Sequence, residues 1–373
     1  MLKRVSIQNF KSLKDVTLDL QKVNLLIGPN NSGKTNFLKA FNFLYQYFDG
    51  NKNIADSAHY RKDIANRIGI HLIFEESNPE IIHESYRHIL FQKTFDFKAR
   101  EVYGIRFGWG KDWNLKNVDI QENDDPGIDL LIDYTGEIIV YRPDPNKLSN
   151  PGPVGVGKES VNADTSNLVG FLDLMLGKYR RTVFNQIETD LQKCIPEFSE
   201  VNLEDIPSSK ELIKQFGETA FKRIGLTDRQ QDVIYWANEL SEGTLYFLAL
   251  LCIINQPNPP KLLLLEEPER GIHPRRIREV MDFIFRLAEE KDIQIILTSH
   301  NEHVLDDFST RPEAVFVFDK DEEGATYVRN LQTDIIEPTN KRNRELGLDE
   351  IDLTTNLSEN WLYGLLGGVP SIP

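Results

Sequence analysis

The sequence predicts an α/β fold with a mostly parallel core sheet, an antiparallel β subdomain and a helical lobe. Three observations predict it. A glycine-rich loop at 28–35 sits between an apolar strand and a helical face. A second apolar run, Leu262 to Leu265, stops on paired carboxylates. Beyond Leu240, helix, strand, helix and strand follow in quick succession and end at 314–318, and such alternation implies a parallel sheet covered on both faces.

Taken in order, residues 5–10 alternate, 16–20 form a second run and 23–27 are apolar throughout, which gives two or three strands. The stretch 35–48 places Phe37, Leu38, Phe41, Leu44, Tyr45 and Phe48 on one helical face. Strand-like runs at 70–74, 102–107, 128–133 and 137–141 are punctuated by Gly, Asn and Asp, which makes the antiparallel subdomain. The Pro/Gly/Asn-rich 142–158 reads as a loop or hinge. Helical periodicity at 167–178 and 182–194 makes the helical lobe. Four segments are therefore expected: an N-terminal lobe at 1–160, a helical lobe at 161–240, a C-terminal half at 241–330 and a tail at 331–373.

Composition narrows the function. The 373 residues carry a net charge of −15, whereas a broad nucleic-acid face needs an excess of Lys and Arg to displace counterions. The charge counts against a DNA-coating protein, while local basic patches stay open. The two cysteines, Cys194 and Cys252, show no paired spacing and are expected as reduced core residues. The first residues lack a signal-type apolar run, and the longest apolar stretch, 245–254, is too short for a bilayer. The expectation is a cytoplasmic protein without membrane contact.

Gly28-Pro29-Asn30-Asn31-Ser32-Gly33-Lys34-Thr35 matches G-x-x-x-x-G-K-[ST]. Two glycines let the backbone curl and point its N–H groups at a phosphate, at the positive end of the following helix. Lys34 brings a point charge to the β- and γ-phosphates, and the Thr35 hydroxyl suits Mg²⁺. Asn30, Asn31, Ser32 and Asn36 belong to the same cradle. In Lys261-Leu-Leu-Leu-Leu-Glu266-Glu267, the carboxylates fall at a strand's C-terminal end, where open α/β sheets bind ligands. Glu266 suits a metal and Glu267 a water to be activated. Ser241, Glu242 and Gly243 open an apolar helix and can leave its N–H groups facing an anion, although an ordinary N-cap has the same signature. The run 293–299 ends on His300, which can hydrogen-bond a phosphate or an attacking water.

These four motifs, in this order, resemble the ABC-type ATPase heads of the SMC, RecF and OLD-like groups, and most of all stand-alone bacterial AAA family ATPases. Ile7-Gln8-Asn9-Phe10-Lys11-Ser12 resembles the I-x-N-F-[KR]-S opening of those heads, where an early basic residue approaches the nucleotide. The turn from Glu269 to Pro274 (Glu-Arg-Gly-Ile-His-Pro) resembles that branch's E-[NR]-G-L-H-P. The resemblance implies a P-loop NTPase head using ATP and Mg²⁺. Residues 28–35 would be Walker A, Glu266 and Glu267 Walker B and general base, Ser241 to Gly243 the signature loop, and His300 the switch histidine. It further implies an ATP-dependent homodimer or higher oligomer and a separate effector such as a nuclease, in anti-phage defence or DNA maintenance. A RecF-like repair ATPase acting directly on DNA is the alternative, and the acidic charge counts against it.

Three features depart from the pattern. The signature reads Leu-Ser-Glu-Gly-Thr, which points away from transporters. A Q-loop glutamine is not evident, Gln92 being the one candidate, and no heptad run signals a coiled coil. Asp319 and Asp321 offer a metal-binding D-x-D of the kind a nuclease would use, but a strand and turn leading into a hairpin accounts for them better. The cluster Arg275, Arg276, Arg278 and the stretch Lys178 to Arg181 read first as solvated helix faces and otherwise as contacts for a partner or nucleic acid. The apolar tail, Trp361 to Leu366, can dock on the body or on a partner.

Overall fold

A computed structural model describes residues 1–48, 58, 60–62, 67–75, 88–96, 101–110, 116–119, 138–155, 157–217, 219–270 and 272–368. The run expected as a strand at 128–133 lies outside these residues, as do Glu137 and the side chains of Tyr45, Phe48 and Gln92.

From the N-terminus come β1 (Leu2–Phe10), β2 (Leu13–Asp19), β3 (Val23–Ile27), α1 (Lys34–Phe48), β4 (Ile68–Glu75), β5 (His88–Asp96), β6 (Glu101–Gly110) and β7 (Lys116–Asp119). Next are β8 (Gly152–Pro153), α2 (Leu168–Lys178), α3 (Asn185–Cys194), β9 (Phe198–Ile206), β10 (Phe221–Asp228), β11 (Ile234–Trp236) and α4 (Glu242–Asn255). Then follow β12 (Leu262–Glu266), α5 (Pro274–Glu290), β13 (Gln294–Ser299), α6 (Glu302–Asp306), β14 (Val315–Lys320), β15 (Thr326–Asn330) and α7 (Leu357–Leu362). The chain divides into two compact units. One comprises Met1–Val140, Lys261–Glu267 and Ala288–Pro373; the other, Tyr141–Pro260 and Pro268–Leu287.

The first unit is built on one sheet, in the order β7-β6-β5-β4-β1-β2-β15-β14-β3-β13-β12. Its core is parallel: β12 lies along β13, and β3 lies between β13 and β14. All of β3 and β13, and Leu262 to Leu265 of β12, are buried, as continuous apolar strands must be when both faces are covered. The register pairs Glu266 with Thr298 and Ser299 with Ile27. Three strands therefore finish together, each followed at once by one of the motifs read from the sequence. The antiparallel subdomain is not a separate layer, because β4 pairs with β1 and carries β5, β6 and β7 into the same sheet. Phe37, Leu38, Phe41 and Leu44 of α1 are buried in the cluster that also holds Phe10, Leu26 and Phe318.

At its edge the core is tied by Gln294. Its buried amide donates to the carbonyls of Leu2 (2.7 Å) and Gln21 (2.9 Å) and accepts from the Leu2 N–H at 2.9 Å. The tail docks partly on this unit. Leu357, Trp361 and Leu366 are buried, and the Ser358 N–H donates to Asp306 at 2.9 Å, while Leu362, Tyr363 and Leu365 stay exposed.

The second unit holds helices α2 and α3 near the expected positions, but the lobe read as helical at 161–240 also contains strands. Here β9 pairs antiparallel with β10, which also pairs with β11 and β8. Periodicity missed them because β9 exposes or half-exposes most of its residues and carries Glu200, Glu204 and Asp205, so little apolar alternation shows. Likewise 142–158, expected as loop, contributes β8 and a short helix, Pro145–Leu148. From Gly243 to Ile254, α4 is buried. Neither cysteine forms a disulfide; Cys252 is buried, but Cys194 is only half-buried rather than a core residue. No helix among the described residues is long and apolar enough to cross a membrane.

Candidate functional site

The loop after β3 begins at Gly28 (φ 149°) and turns through Asn31 (φ 66°) and Gly33 (φ 114°). At Gly28 and Gly33 these are conformations for which a side chain is badly suited. Space forbids a side chain too. A Cβ on Gly28 would stand 2.2 Å from the Phe318 carbonyl oxygen, and one on Gly33 would stand 2.2 Å from Thr326 Oγ1. The loop then feeds α1, and Asn31, Ser32, Gly33, Lys34, Thr35, Asn36, Lys39 and His300 border a cavity of about 270 Å³ at that helix's N-terminal end. An anion is the natural occupant of such a helix N-terminus.

Lys34 is buried. Its ammonium donates to the carbonyls of Gly28 (2.6 Å) and Pro29 (2.9 Å) and lies 3.4 Å from both Ser32 Oγ and His300 Nδ1. Loop carbonyls thus hold this charge beside the cavity. Thr35 donates its hydroxyl to Glu266 Oε1 at 2.7 Å, joining the first turn of α1 to the end of β12. One residue on, Glu267 adopts φ 51°, with its N–H on the Thr298 carbonyl at 3.1 Å, and its carboxylate lies 3.2 Å from His300 Nε2. A non-glycine residue held in this region is strained, and such strain concentrates at functional sites. Burial first, and Lys34 second, push the His300 imidazole below its ordinary value of 6.5; Glu267 and Glu266 pull the other way.

Gly28, Ser32, Gly33, Lys34, Thr35, Glu266, Glu267 and His300 are thus brought together, as the strand ends required. Asn31 and Asn36 border the same cavity, and the Asn36 amide donates to Ser12 at 2.9 Å. Asn30 is an exposed member of the loop. Among the described residues, no cluster of three or more His, Cys, Asp or Glu could hold a metal. Thr35 and Glu266 still fit Mg²⁺, which takes oxygen ligands and typically binds through one or two protein groups plus substrate phosphates and water.

Sequence reading missed Thr298, Thr326 and Lys39. The first two meet the site only through tertiary pairing. Lys39 follows Thr35 by one helical turn, a signal that helical spacing could have supplied. Lys11, from the N-terminal motif, has its ammonium pKa lowered by burial and then by repulsion from Lys39.

Ser241, Glu242 and Gly243 lie in the second unit. Ser241 is the N-cap of α4; its hydroxyl accepts the Thr244 N–H at 3.1 Å and the Arg276 guanidinium at 3.4 Å. Arg276, one of the expected basic cluster, is therefore turned toward the signature serine. Lys178 pairs with Glu159. Asp319 and Asp321 belong to the β14–β15 hairpin. Asp319 accepts from Tyr327 (3.2 Å) and the Gly368 N–H (3.2 Å), and Asp321 accepts the N–H groups of Glu323 and Ala325. Their carboxylates bind the turn.

Two family models match. One, described as AAA ATPase domain, covers residues 1–135; the other, described as "AAA domain, putative AbiEii toxin, Type IV TA system", covers 160–306. Taken with the site's geometry, they decide the family. The chain is an ABC-type AAA ATPase of the SMC, RecF and OLD type. The ATPase shares its fold with an SMC head solved bound to the C-winged helix domain of ScpA (TM-score 0.56, 14% identity, 89% of this chain and 98% of that one). An SMC head with an extended coiled coil, bound to the C-terminal domain of ScpA derived from Pyrococcus furiosus, is similar too (TM-score 0.50, 13% identity, 93% of this chain and 99% of that one). Among curated proteins, this ATPase is 29% identical over 113 residues to an energy-coupling factor transporter ATP-binding protein, EcfA2, of Bacillus cereus, covering 30% of this chain and 36% of that one. It is 33% identical over 76 residues to the endonuclease GajA, also of Bacillus cereus, covering 20% of this chain and 13% of that one. The ATPase spans about a third of the length of the curated relatives it matches first. Membership supports ATP hydrolysis as the family's general chemistry.

Proposed function

We propose that this ATPase is an ATP-driven switch that binds ATP with Mg²⁺ at 28–36, hydrolyses it slowly, and controls a separate effector such as a nuclease. The observation that carries this is the meeting of Lys34, Thr35 and His300 at one cavity, with Glu266 bonded to Thr35 and Glu267 beside His300, at the ends of three parallel strands. On this reading the loop amides and Lys34 cradle the triphosphate, and Thr35 and Glu266 would hold Mg²⁺, which would supply neutralisation of the phosphate charge. Glu267 accepts a proton from the attacking water. His300, neutral near pH 7, keeps that carboxylate oriented and reports the arrival of phosphate charge.

Family resemblance supports a head-to-head homodimer, in which Ser241, Glu242 and Gly243 of one copy would close on the other copy's nucleotide. The family resemblance supports a role in anti-phage defence or DNA maintenance, and the Leu-Ser-Glu-Gly-Thr signature points away from transport even though part of the chain is similar to transporter ATP-binding proteins. Light scattering on a Glu267→Gln variant tests the switch: saturating ATP and Mg²⁺ should convert monomer into a stable nucleotide-loaded dimer. A variant that stays monomeric with ATP bound sinks the mechanism. A steeply salt-dependent duplex-DNA affinity, raised by ATP, would favour a RecF-like repair role instead.

A further inference from the structure

Both phosphate-loop glycines rest on one element, the β14–β15 hairpin. The Phe318 carbonyl of β14 occupies the space beside Gly28, and the Thr326 side chain of β15 occupies the space beside Gly33. Thr326 is 3% exposed, and its Oγ1 lies 2.8 Å from the Ser32 carbonyl and 2.8 Å from Ser12 Oγ. The Thr326 N–H donates to the Ser12 carbonyl at 2.8 Å, and the Asn36 amide donates to Ser12 Oγ at 2.9 Å.

Proton counting sets the direction of this chain. A threonine hydroxyl carries one proton and a carbonyl only accepts, so Thr326 donates to Ser32. Ser12 then donates to Thr326 and accepts from Asn36, which leaves every group satisfied. A trans peptide points its C=O and N–H to opposite sides of one plane. Pinning the Ser32 carbonyl against β15 therefore turns the Gly33 N–H of the same peptide away from the hairpin, toward the cavity that Gly33 lines.

We infer that Thr326 is a positioning residue for the nucleotide, its hydroxyl aiming the Gly33 amide at the bound phosphates. The inference rests on the reading of 28–36 as a triphosphate site and adds to it a residue from the far end of the chain. The hydroxyl acts before any chemistry, so it should serve ATP and ADP alike and change binding rather than turnover at saturation.

Calorimetric titration of the full chain with Mg·ATP and Mg·ADP tests it. Thr326→Val keeps the shape and removes the hydroxyl; Thr326→Ser restores the hydroxyl; Lys34→Ala is the reference for the site itself. Thr326→Val should weaken both nucleotides about tenfold, the cost of one buried hydrogen bond with its acceptor left unsatisfied, and Thr326→Ser should stay within about threefold of wild type. A merely structural hydroxyl predicts lower thermal stability of the nucleotide-free protein with unchanged affinity of the folded fraction, and that result overturns the inference. So does a serine variant as weak as the valine one. If Thr326→Val unfolds below the titration temperature, Ser12→Ala reads the same chain from its other side: about threefold weaker binding supports the inference and unchanged binding overturns it. Wild-type protein that takes up no nucleotide, or Lys34→Ala that binds as wild type, overturns the triphosphate site itself. Strong wild-type binding with an indifferent Thr326→Val overturns only the role of Thr326.

Discussion

Replacing Gly28 by alanine separates two costs that the structure places on one residue. The backbone there has φ 149°, and an added Cβ would lie 2.2 Å from the Phe318 carbonyl oxygen and 3.1 Å from Ser32 Oγ. Relief requires β14 or the loop to retreat by most of an ångström. Yet β14 is locked in parallel register to β3, with Phe316 on Leu26 and Val317 on Ile27. Gly324 provides the control, because it too has a positive φ (79°) but nothing within 4 Å of its Cβ position. Gly324→Ala should therefore cost about 1 kcal/mol, the conformational term alone. Gly28→Ala adds a backbone clash and should cost about 3 kcal/mol or more. Because the Gly28 carbonyl accepts from the Lys34 ammonium at 2.6 Å, nucleotide affinity should fall along with stability. Urea midpoints followed by circular dichroism give the first quantity and calorimetry with Mg·ATP the second. Equal midpoints for the two variants, with wild-type affinity in Gly28→Ala, would refute the close seating of the loop on β14.

Two further outcomes are expected. The folded-state pKa of His300 is depressed, so its stabilising neutral form is fully present above 6.5 and is lost as pH falls through the lowered value. A triphosphate beside Lys34 offsets that cation and raises the imidazole pKa, so Mg·ATP binding below pH 6.5 should take up protons that His300→Gln does not; equal uptake, read from enthalpies in buffers of different ionisation heat, would exclude the linkage. Gln294→Leu strips three hydrogen bonds from backbone groups of Leu2 and Gln21 and should lower stability by about 3 kcal/mol without altering nucleotide affinity in the folded protein; a loss below about 1 kcal/mol in urea unfolding would show that water replaces the amide.

The parallel core was legible because its strands are buried on both faces and so carry no polar alternation; Leu262 to Leu265 can hardly be read otherwise. The phosphate loop was legible because its demands are local: two glycines, a lysine and a hydroxyl within eight residues. What escaped detection was non-local or apolar-poor. The β9–β10 pair is stabilised by backbone pairing and one buried face, and its outer acids hid the strand period. Ser12 was visible as part of an N-terminal motif, but not its bond to Thr326, 314 residues away.

By itself the sequence determined the inventory: a phosphate cradle, two acids at the end of one buried strand and a histidine at the end of another. Each follows from a short stretch whose neighbours in the chain are its neighbours in space. Only the tertiary structure decided the assembly, because parallel register puts Ile27, Glu266 and Ser299 at one edge and the β14–β15 hairpin sits under both glycines. Register is set by which strands pair across the sheet, a property of contacts hundreds of residues apart that no local pattern encodes.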